Sequence, residues 1–484
     1  MPSPFLFPRR RARWAAAVCA LLAAGCSFVP TYQRPPAPIP ASFPGAAADS
    51  AQSLPAADIA WQDFVQDARL RAIVARALDG NRDLRIAALA IEQARAQYQI
   101  RSADRTPTIN LAANASRQPA ASGSGSISSL YSVGLGLASW EIDVFGRIAS
   151  LEASALAQFF ATEEARNAVQ TSLVAAIANA WLSLQTNDAL LGLTERTLAT
   201  REDSLRLTQL RFDQGVSSAL DLRQAQSLTA AARATLAQQQ RLRALDVNAL
   251  TLLVGAPLPD DLLHSGAEAA VALAAVPAGL PSDLLTRRPD VRQAEQQLRA
   301  ANAQIGAARA AFFPRIALTA SAGTASTALS GLFKGGSWGW TLAPQALLPI
   351  FDGGRNEANL QSAQVAREAA LAQYEKAIQV AFRETADALA GRTALADQLD
   401  ATQAQAEAEA DRLRLADLRY RNGIASYLDV LDAQRALFAT QQALAQIRLA
   451  RQQNEVALFK ALGGGWEPAE AIAPAGQQRQ PPAR

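Results

Sequence analysis

The chain has 484 residues, with 46 Lys and Arg against 43 Asp and Glu, two Cys, one His (His264) and one Met, the initiator. A lone His excludes a His-cluster zinc site or a His-based triad within one subunit, so any catalysis would fall to carboxylates or hydroxyls, and no cofactor is expected. The formal charge of +3 depends on Arg9, Arg10, Arg11 and Arg13; without them 42 basic residues face 43 acidic ones. Nothing in that balance points to nucleic acid.

From the N-terminus, Arg9 to Arg13 form a positive stretch, Trp14 to Ala24 a short apolar one, and Gly25-Cys26 follows. That is the order of a secretory signal, and the apolar stretch is too short to span a bilayer. The run Leu22-Ala23-Ala24-Gly25-Cys26-Ser27 resembles a bacterial lipoprotein signal, which implies a signal peptide at 1–25 and an acylated Cys26. The alternative is an ordinary signal with an incidental cysteine. Ser27 resembles an outer-membrane sorting residue. Cys19 would leave with the signal, so no intramolecular disulfide is available. Residues 26–62, rich in Pro, Ala and Ser to about Ala57, have too little bulky apolar content to pack and read as an acylated, extended tether.

Self-comparison sets the architecture. Residues Asp203 to Asp221 align with Asp411 to Asp429 at an offset of 208, and Gly146-Arg147 falls on Gly354-Arg355. At an offset of 207, Asp83-Leu84-Arg85 falls on Asp290-Val291-Arg292, and Pro107 to Leu111 on Pro314 to Leu318. The chain is a tandem duplication, with repeats at 63–255 and 281–466, a linker at 256–280 and a disordered tail at 467–484.

Each copy has the same order. A helical run (Phe64 to Arg101; Leu284 to Ala311) stops before a proline. Two alternating segments follow, Thr108 to Ser116 with Tyr131 to Ser139, and Arg315 to Gly323 with Trp338 to Ala346. Glycine and serine join them, so β-hairpins are expected at 107–140 and 314–348. A proline-free helical stretch then runs from Ile148 to Phe212 and from Asn356 to Tyr420, roughly 95 Å if continuous. Glycines near 215 and 423 turn the chain into return helices, Leu220 to Val254 and Tyr427 to Leu462, with coiled-coil spacing at Leu437, Leu444 and Ile447. The helices alone would equally suit a soluble coiled-coil rod.

Four strands cannot close a barrel, yet their faces alternate as in membrane strands, and Tyr131, Trp140, Trp338 and Trp340 resemble interfacial anchors. Three copies would supply a closable twelve. The alternative is a small soluble sheet packed on the helices.

Trp140 to Arg147, Gly279 to Arg292, Phe351 to Arg355 and Leu428 to Gln434 closely resemble the signature segments of the lipoprotein branch of the TolC-like outer-membrane efflux channels. The resemblance runs from about Cys26 to Trp466. It implies an α+β membrane protein whose tandem-repeat protomer, long coiled α-helical hairpins plus four β-strands, forms a homotrimer. The trimer would carry a 12-stranded outer-membrane β-barrel on a 12-helix periplasmic α-barrel. It further implies a non-enzymatic exit duct of a tripartite efflux pump, lipid-anchored in the outer membrane and joined through a periplasmic adaptor to an inner-membrane transporter.

By the same resemblance the hairpin tips form the periplasmic mouth, and Gly215, Ser218, Gly423 and Ser426 contact the adaptor. Gly215 and Gly423 suit a positive φ, and the small serines allow close approach. Asp429 and Asp432 share one helix face beside Leu428; threefold symmetry would make six carboxylates, whose crowding raises their pKa values and attracts cations. The other reading of these acids is a solvated helix N-terminus. In some relatives a tyrosine on one hairpin latches to an aspartate on the other, and those positions here are Tyr420 and Asp221. The relatives' second, arginine-based link falls on Ala425, leaving Arg419 or Arg421 as substitutes. Two other classes compete: an adaptor lipoprotein, which predicts one hairpin within a compact β-domain, and a hydrolase using Asp429 and Asp432, for which no companion polar cluster is evident.

Overall fold

The computed structural model describes residues 27–43, 59–119, 127–263, 273–277 and 281–466. The expected signal, Cys26 and the tail after Trp466 lie outside them. In chain order the elements are α1 (Trp61–Phe64), α2 (Ala68–Gly80), α3 (Arg82–Ala103), β1 (Ile109–Pro119), β2 (Ile127–Ile142), α4 (Arg147–Asp213) and α5 (Ala219–Val254). Then come α6 (Asp260–Leu263), α7 (Pro281–Arg287), α8 (Pro289–Ala310), β3 (Arg315–Ser326), β4 (Trp338–Leu347), α9 (Arg355–Arg421) and α10 (Tyr427–Ala461). Two compact units arise, and each draws on both sequence repeats.

One unit gathers Leu89–Glu163 and Gln293–Glu375 with the N-terminal stretch ending at Pro36. It holds one antiparallel sheet in the order β1-β2-β3-β4. Register decides what each face carries. The cross-sheet rows Ile109, Leu137, Ala320, Leu342 and Leu111, Leu135, Ala322, Trp340 lie on one face. On the other lie Asn110, Gly136, Ser321, Thr341 and Ala112, Gly134, Gly323, Gly339. One face is therefore mainly apolar and the other mainly small or polar. Large groups of the apolar face are exposed, with Leu111 at 74% and Trp340 at 67%, which a water-facing sheet would not tolerate.

Between Leu137 and Trp140 the β2 register shifts against β3, and Ser139 takes a φ of 50°. The extra residue keeps Trp140 opposite Leu318 and Ile142 opposite Ile316, on the apolar face; an unbulged strand would turn both to the polar face. This bulge also explains why β2 reaches Ile142, beyond the Ser139 end expected from strict alternation.

The N-terminal stretch corrects the sequence expectation of an unpacked tether. Residues 28–34 lie antiparallel along α8. Phe28 stacks on Phe313 at 4.6 Å, Asn302 donates to the Pro30 carbonyl at 2.7 Å, and the Tyr32 hydroxyl donates to Glu295 at 3.1 Å. Arg34 makes a two-pronged contact with the same carboxylate, at 3.1 and 2.8 Å. Gly306 is required here, because a Cβ would come within 2.5 Å of Val29. Polar anchors and one stacked ring thus do what bulk apolar content was expected to do.

The second unit, Ala37–Ala88, Glu164–Arg292 and the chain from Lys376 onward, has the larger core. Phe64, Leu70, Ile73, Ile177, Trp181, Leu182, Leu250 and Phe459 are buried, and Phe64 stacks on Phe459 at 3.9 Å. Phe43 stacks on Phe382 at 5.1 Å. The single helical run expected over Phe64 to Arg101 is three helices. Asn81 breaks it by leaving helical geometry, its side chain accepting from the Leu84 N–H at 2.8 Å and donating to the Leu253 carbonyl at 2.7 Å. The run expected over Leu284 to Ala311 breaks at Arg288, the residue before Pro289. Its buried guanidinium reaches Asp290 at 2.5 Å, Glu384 at 2.8 Å and the last-turn carbonyl of Ala461 at 3.0 Å. Burial alone would lower this guanidinium's pKa; its two carboxylates reverse the sign and raise it. Helices α4 and α9 are each continuous over 67 residues.

Candidate functional site at the helical hairpin tips

In the second unit the two long hairpins reverse by the same device. Gly215 (φ 74°) and Gly423 (φ 71°) sit in left-handed geometry with nothing within 4 Å of a hypothetical Cβ, so conformation rather than crowding selects glycine. Gly215 N–H donates to the Phe212 carbonyl at 2.9 Å and Val216 N–H to that of Arg211 at 2.8 Å. At the other tip Gly423 N–H donates to Tyr420 and Ile424 N–H to Arg419, both at 2.9 Å. These paired bonds satisfy the last carbonyls of α4 and α9.

The serines differ between the copies. Ser218 caps α5: its hydroxyl accepts from the Asp221 N–H at 3.1 Å, while the Asp221 carboxylate accepts from the Ser218 hydroxyl at 2.7 Å and from its N–H at 3.3 Å. The Ser217 hydroxyl also donates to that carboxylate, at 3.3 Å. Ser426 occupies the cap position of α10 without a side-chain bond. Ser218 is thus a capping residue, where small size for close approach was expected.

The same bonds engage Asp221. Among the described residues Tyr420 and Asp221 are not paired within the chain, and the Tyr420 hydroxyl has no hydrogen-bond partner. Its ring instead lies 4.9 Å from Tyr427 and under the Arg211 guanidinium at 5.4 Å. Arg421, one candidate substitute for the missing arginine link, is held by Asp417 at 2.8 Å on its own helix.

Asp429 and Asp432 share a helix face yet have different surroundings. Asp429 is exposed, with no ion-pair partner among the described residues. Asp432 is gripped by Arg412 across the hairpin and by Arg435 on its own helix, both at 2.5 Å. The Arg412 hydrogen bond foremost, then that of Arg435, hold its carboxyl below the usual range. Within one chain these two arginines act against the raising expected where three copies crowd their carboxylates. Leu428 is partly exposed beside Asp429, and Val216, Leu220 and Ile424 expose apolar surface at both tips.

Arg412 carries a sequence signal as well: it lies 11 residues before Gly423 and Asp432 lies 9 after it, so an antiparallel hairpin brings them to about the same level. Across the first hairpin Arg201 and Thr229 each lie 14 residues from Gly215, and the Thr229 hydroxyl donates to the Arg201 carbonyl at 3.3 Å. Arg211 and Arg201 carried no such signal toward the second hairpin, since contacts between hairpins follow no sequence spacing.

The chain matches the family described as "Outer membrane efflux protein" twice, over residues 73–256 and 280–464. It is 47% identical to the toluene efflux pump outer membrane protein TtgC of Pseudomonas putida over 93% of this chain and 95% of that protein. It is 45% identical to the outer membrane protein OprJ of Pseudomonas aeruginosa, over 94% and 96% of the two chains. Among solved structures it resembles the open state of the Neisseria gonorrhoeae MtrE outer membrane channel with a TM-score of 0.84 at 40% identity, over 91% of this chain and 98% of that one. It also resembles the Campylobacter jejuni CmeC outer membrane channel, with a TM-score of 0.84 at 27% identity over 92% and 96%. The chain therefore belongs to the outer membrane efflux protein family, channels rather than enzymes, and serves as an outer-membrane exit duct for efflux.

Proposed function

We propose that three copies of this chain close a 12-stranded barrel in the outer membrane, continued into the periplasm by a 12-helix tunnel. The observation that carries this reading is the four-stranded sheet with one mainly apolar face and two edges, β1 and β4, that pair with no further strand among the described residues. An isolated sheet of that kind exposes both its edges and its apolar face, and closure with like sheets satisfies both. Even strand number and the small-polar opposite face suit a water-filled lumen.

An acylated Cys26 anchors the assembly to outer-membrane lipid, directly ahead of the strap that lies on α8. At the periplasmic mouth the exposed tips around Gly215, Ser218, Gly423 and Ser426 meet a periplasmic adaptor, which connects the duct to an inner-membrane transporter. Leu428, Asp429, Asp432, Tyr420 and Asp221 surround the gate, where Asp429 has no ion-pair partner among the described residues. Relatives are named for toluene, solvent and antibiotic efflux, and this duct passively conducts compounds of that kind.

Closure between subunits is tested by cysteine scanning along the two free edges, pairing Asn110 or Asn114 of β1 with Thr341 or Gln345 of β4 in the full-length protein. Oxidation should give covalent dimers and trimers in the outer-membrane fraction for the pairs in register. Monomers for every pair would defeat the shared barrel.

A further inference from the structure

This inference rests on the gate at the hairpin tips and concerns what holds its two hairpins together. We propose that within each protomer the hairpins are clamped by two cation–π rungs, Arg211 on Tyr420 and Arg201 on Phe438, and that these rungs, rather than a Tyr420–Asp221 hydrogen bond, maintain the resting mouth. Both arginines come from α4, and both aromatic rings come from the second hairpin, one from each arm. The guanidinium-to-centroid distances are 5.4 Å at Arg211 and 5.1 Å at Arg201, within the range where a cation is drawn to a ring face.

The partners expected of a hydrogen-bonded latch are already committed elsewhere. Asp221 accepts three hydrogen bonds from Ser217 and Ser218, and Tyr427 flanks the Tyr420 ring.

Arg201 is the stronger rung. The residue is only 4% exposed, and its Nε has no hydrogen-bond partner. One terminal nitrogen donates to the Leu228 carbonyl at 2.9 Å, and no carboxylate pairs with it among the described residues. A buried guanidinium without a counter-ion is costly, and the face of Phe438 is its principal compensation toward the other hairpin. Desolvation lowers its pKa, in keeping with that setting.

The repeat makes the clamp asymmetric. At the offset of 208, Arg211 and Tyr420 correspond to Arg419 and Phe212, so the elements of the outer rung exist in both copies. Arg201 and Phe438 correspond to Glu409 and Ala230, so the inner rung cannot form a second time. In a ring of alternating copies, the junction inside a protomer carries two rungs and the junction between subunits at most one.

The test is planar-bilayer conductance of the purified full-length protein, with outer-membrane trimer yield as the folding control. Tyr420→Leu and Arg211→Met should each raise the open-to-closed ratio about two- to fivefold, the range for an exposed cation–π pair, and Phe438→Leu about thirtyfold, as for a desolvated one. Combining Tyr420→Leu with Arg211→Met should add nothing to either alone. Tyr420→Phe, which keeps the ring and deletes the hydroxyl, should rescue the closure that Tyr420→Leu loses. Opening by Tyr420→Phe equal to that of Tyr420→Leu would overturn the proposal in favour of a hydroxyl latch, and silence of both Arg211→Met and Phe438→Leu would overturn it outright. Failure of the gate itself reads differently: the wild-type channel would then show no closed level, and Asp429→Asn would leave cation selectivity unaltered.

Discussion

Replacing Glu295 with Gln should loosen the N-terminal strap from α8. The Glu295 side chain is 5% exposed and gathers Tyr32, Arg34 and Arg299. Hydrogen bonds to a charged group contribute about 1.5–3 kcal/mol each when buried, but both arginine side chains are 43% exposed, which discounts their share. A net loss of about 2 kcal/mol for strap docking is the working figure, and it raises the undocked population roughly thirtyfold. Chymotrypsin reads that population by cutting after Tyr32, at a rate that tracks opening when reclosing is fast. The cleaved fraction of detergent-solubilised protein, followed by N-terminal sequencing, should rise by that order in Glu295→Gln, and Gly306→Val should mimic it by collision with Val29. Wild-type cleavage rates in both variants would refute the strap as a docked element.

The pH dependence of the strap follows from the same carboxyl. Burial on its own would push Glu295 up, yet the hydrogen bonds and charges of Arg34 and Arg299 hold it below 4.5. Its contribution is therefore full above the unfolded value and is lost as pH falls through the lower folded value. Tyr32 is pushed up to about 12, by burial first and then by the Glu295 charge and hydrogen bond. Its share is full below 10 and disappears as pH rises toward 12. Cleavage after Tyr32 should thus be slowest at intermediate pH, judged against an unstructured peptide of the same sequence. Deleting Ser139 removes the one extra residue, so β2 should run unbulged with Trp140 still opposite Leu318 and Ile142 still opposite Ile316, and membrane fractionation should show outer-membrane insertion retained. Arg288→Met leaves Asp290, Glu384 and the Ala461 carbonyl without their shared donor and should cost about 2–4 kcal/mol, seen as a lower melting temperature in detergent. Gly215→Ala and Gly423→Ala should each cost about 1 kcal/mol through the left-handed backbone, and their sum should depart from additivity in the same melt because Arg211 of one turn lies over Tyr420 of the other.

Much of the architecture was legible because it rests on local signals. Period-two alternation marked the strands, and the glycines at 215 and 423 marked reversals that the structure builds from identical backbone bonds. Absence of proline marked α4 and α9. What stayed hidden depends on distant partners. The strap reads as unpackable by composition, yet Tyr32 and Arg34 find a buried carboxylate 261 to 263 positions away. Asn81 and Arg288 break helices because each completes a contact with another helix end, which local propensity does not report. At the hairpin tips, the sequence located Tyr420 and Asp432 but not their neighbours. Arg412 and Arg435 neutralise Asp432, and Arg211 covers Tyr420, because contacts across hairpins are set by packing rather than spacing.

The central claim is that this sheet is a third of a closed barrel. It is tested most directly by the native mass of the full-length protein extracted in mild detergent from separated inner and outer membranes. The account predicts a particle of three chains, found in the outer-membrane fraction and not released by salt or by replacing Cys26. A monomer, or a protein freed from the membrane without detergent once Cys26 is replaced, would contradict it, because the apolar sheet face would then have no lipid to face.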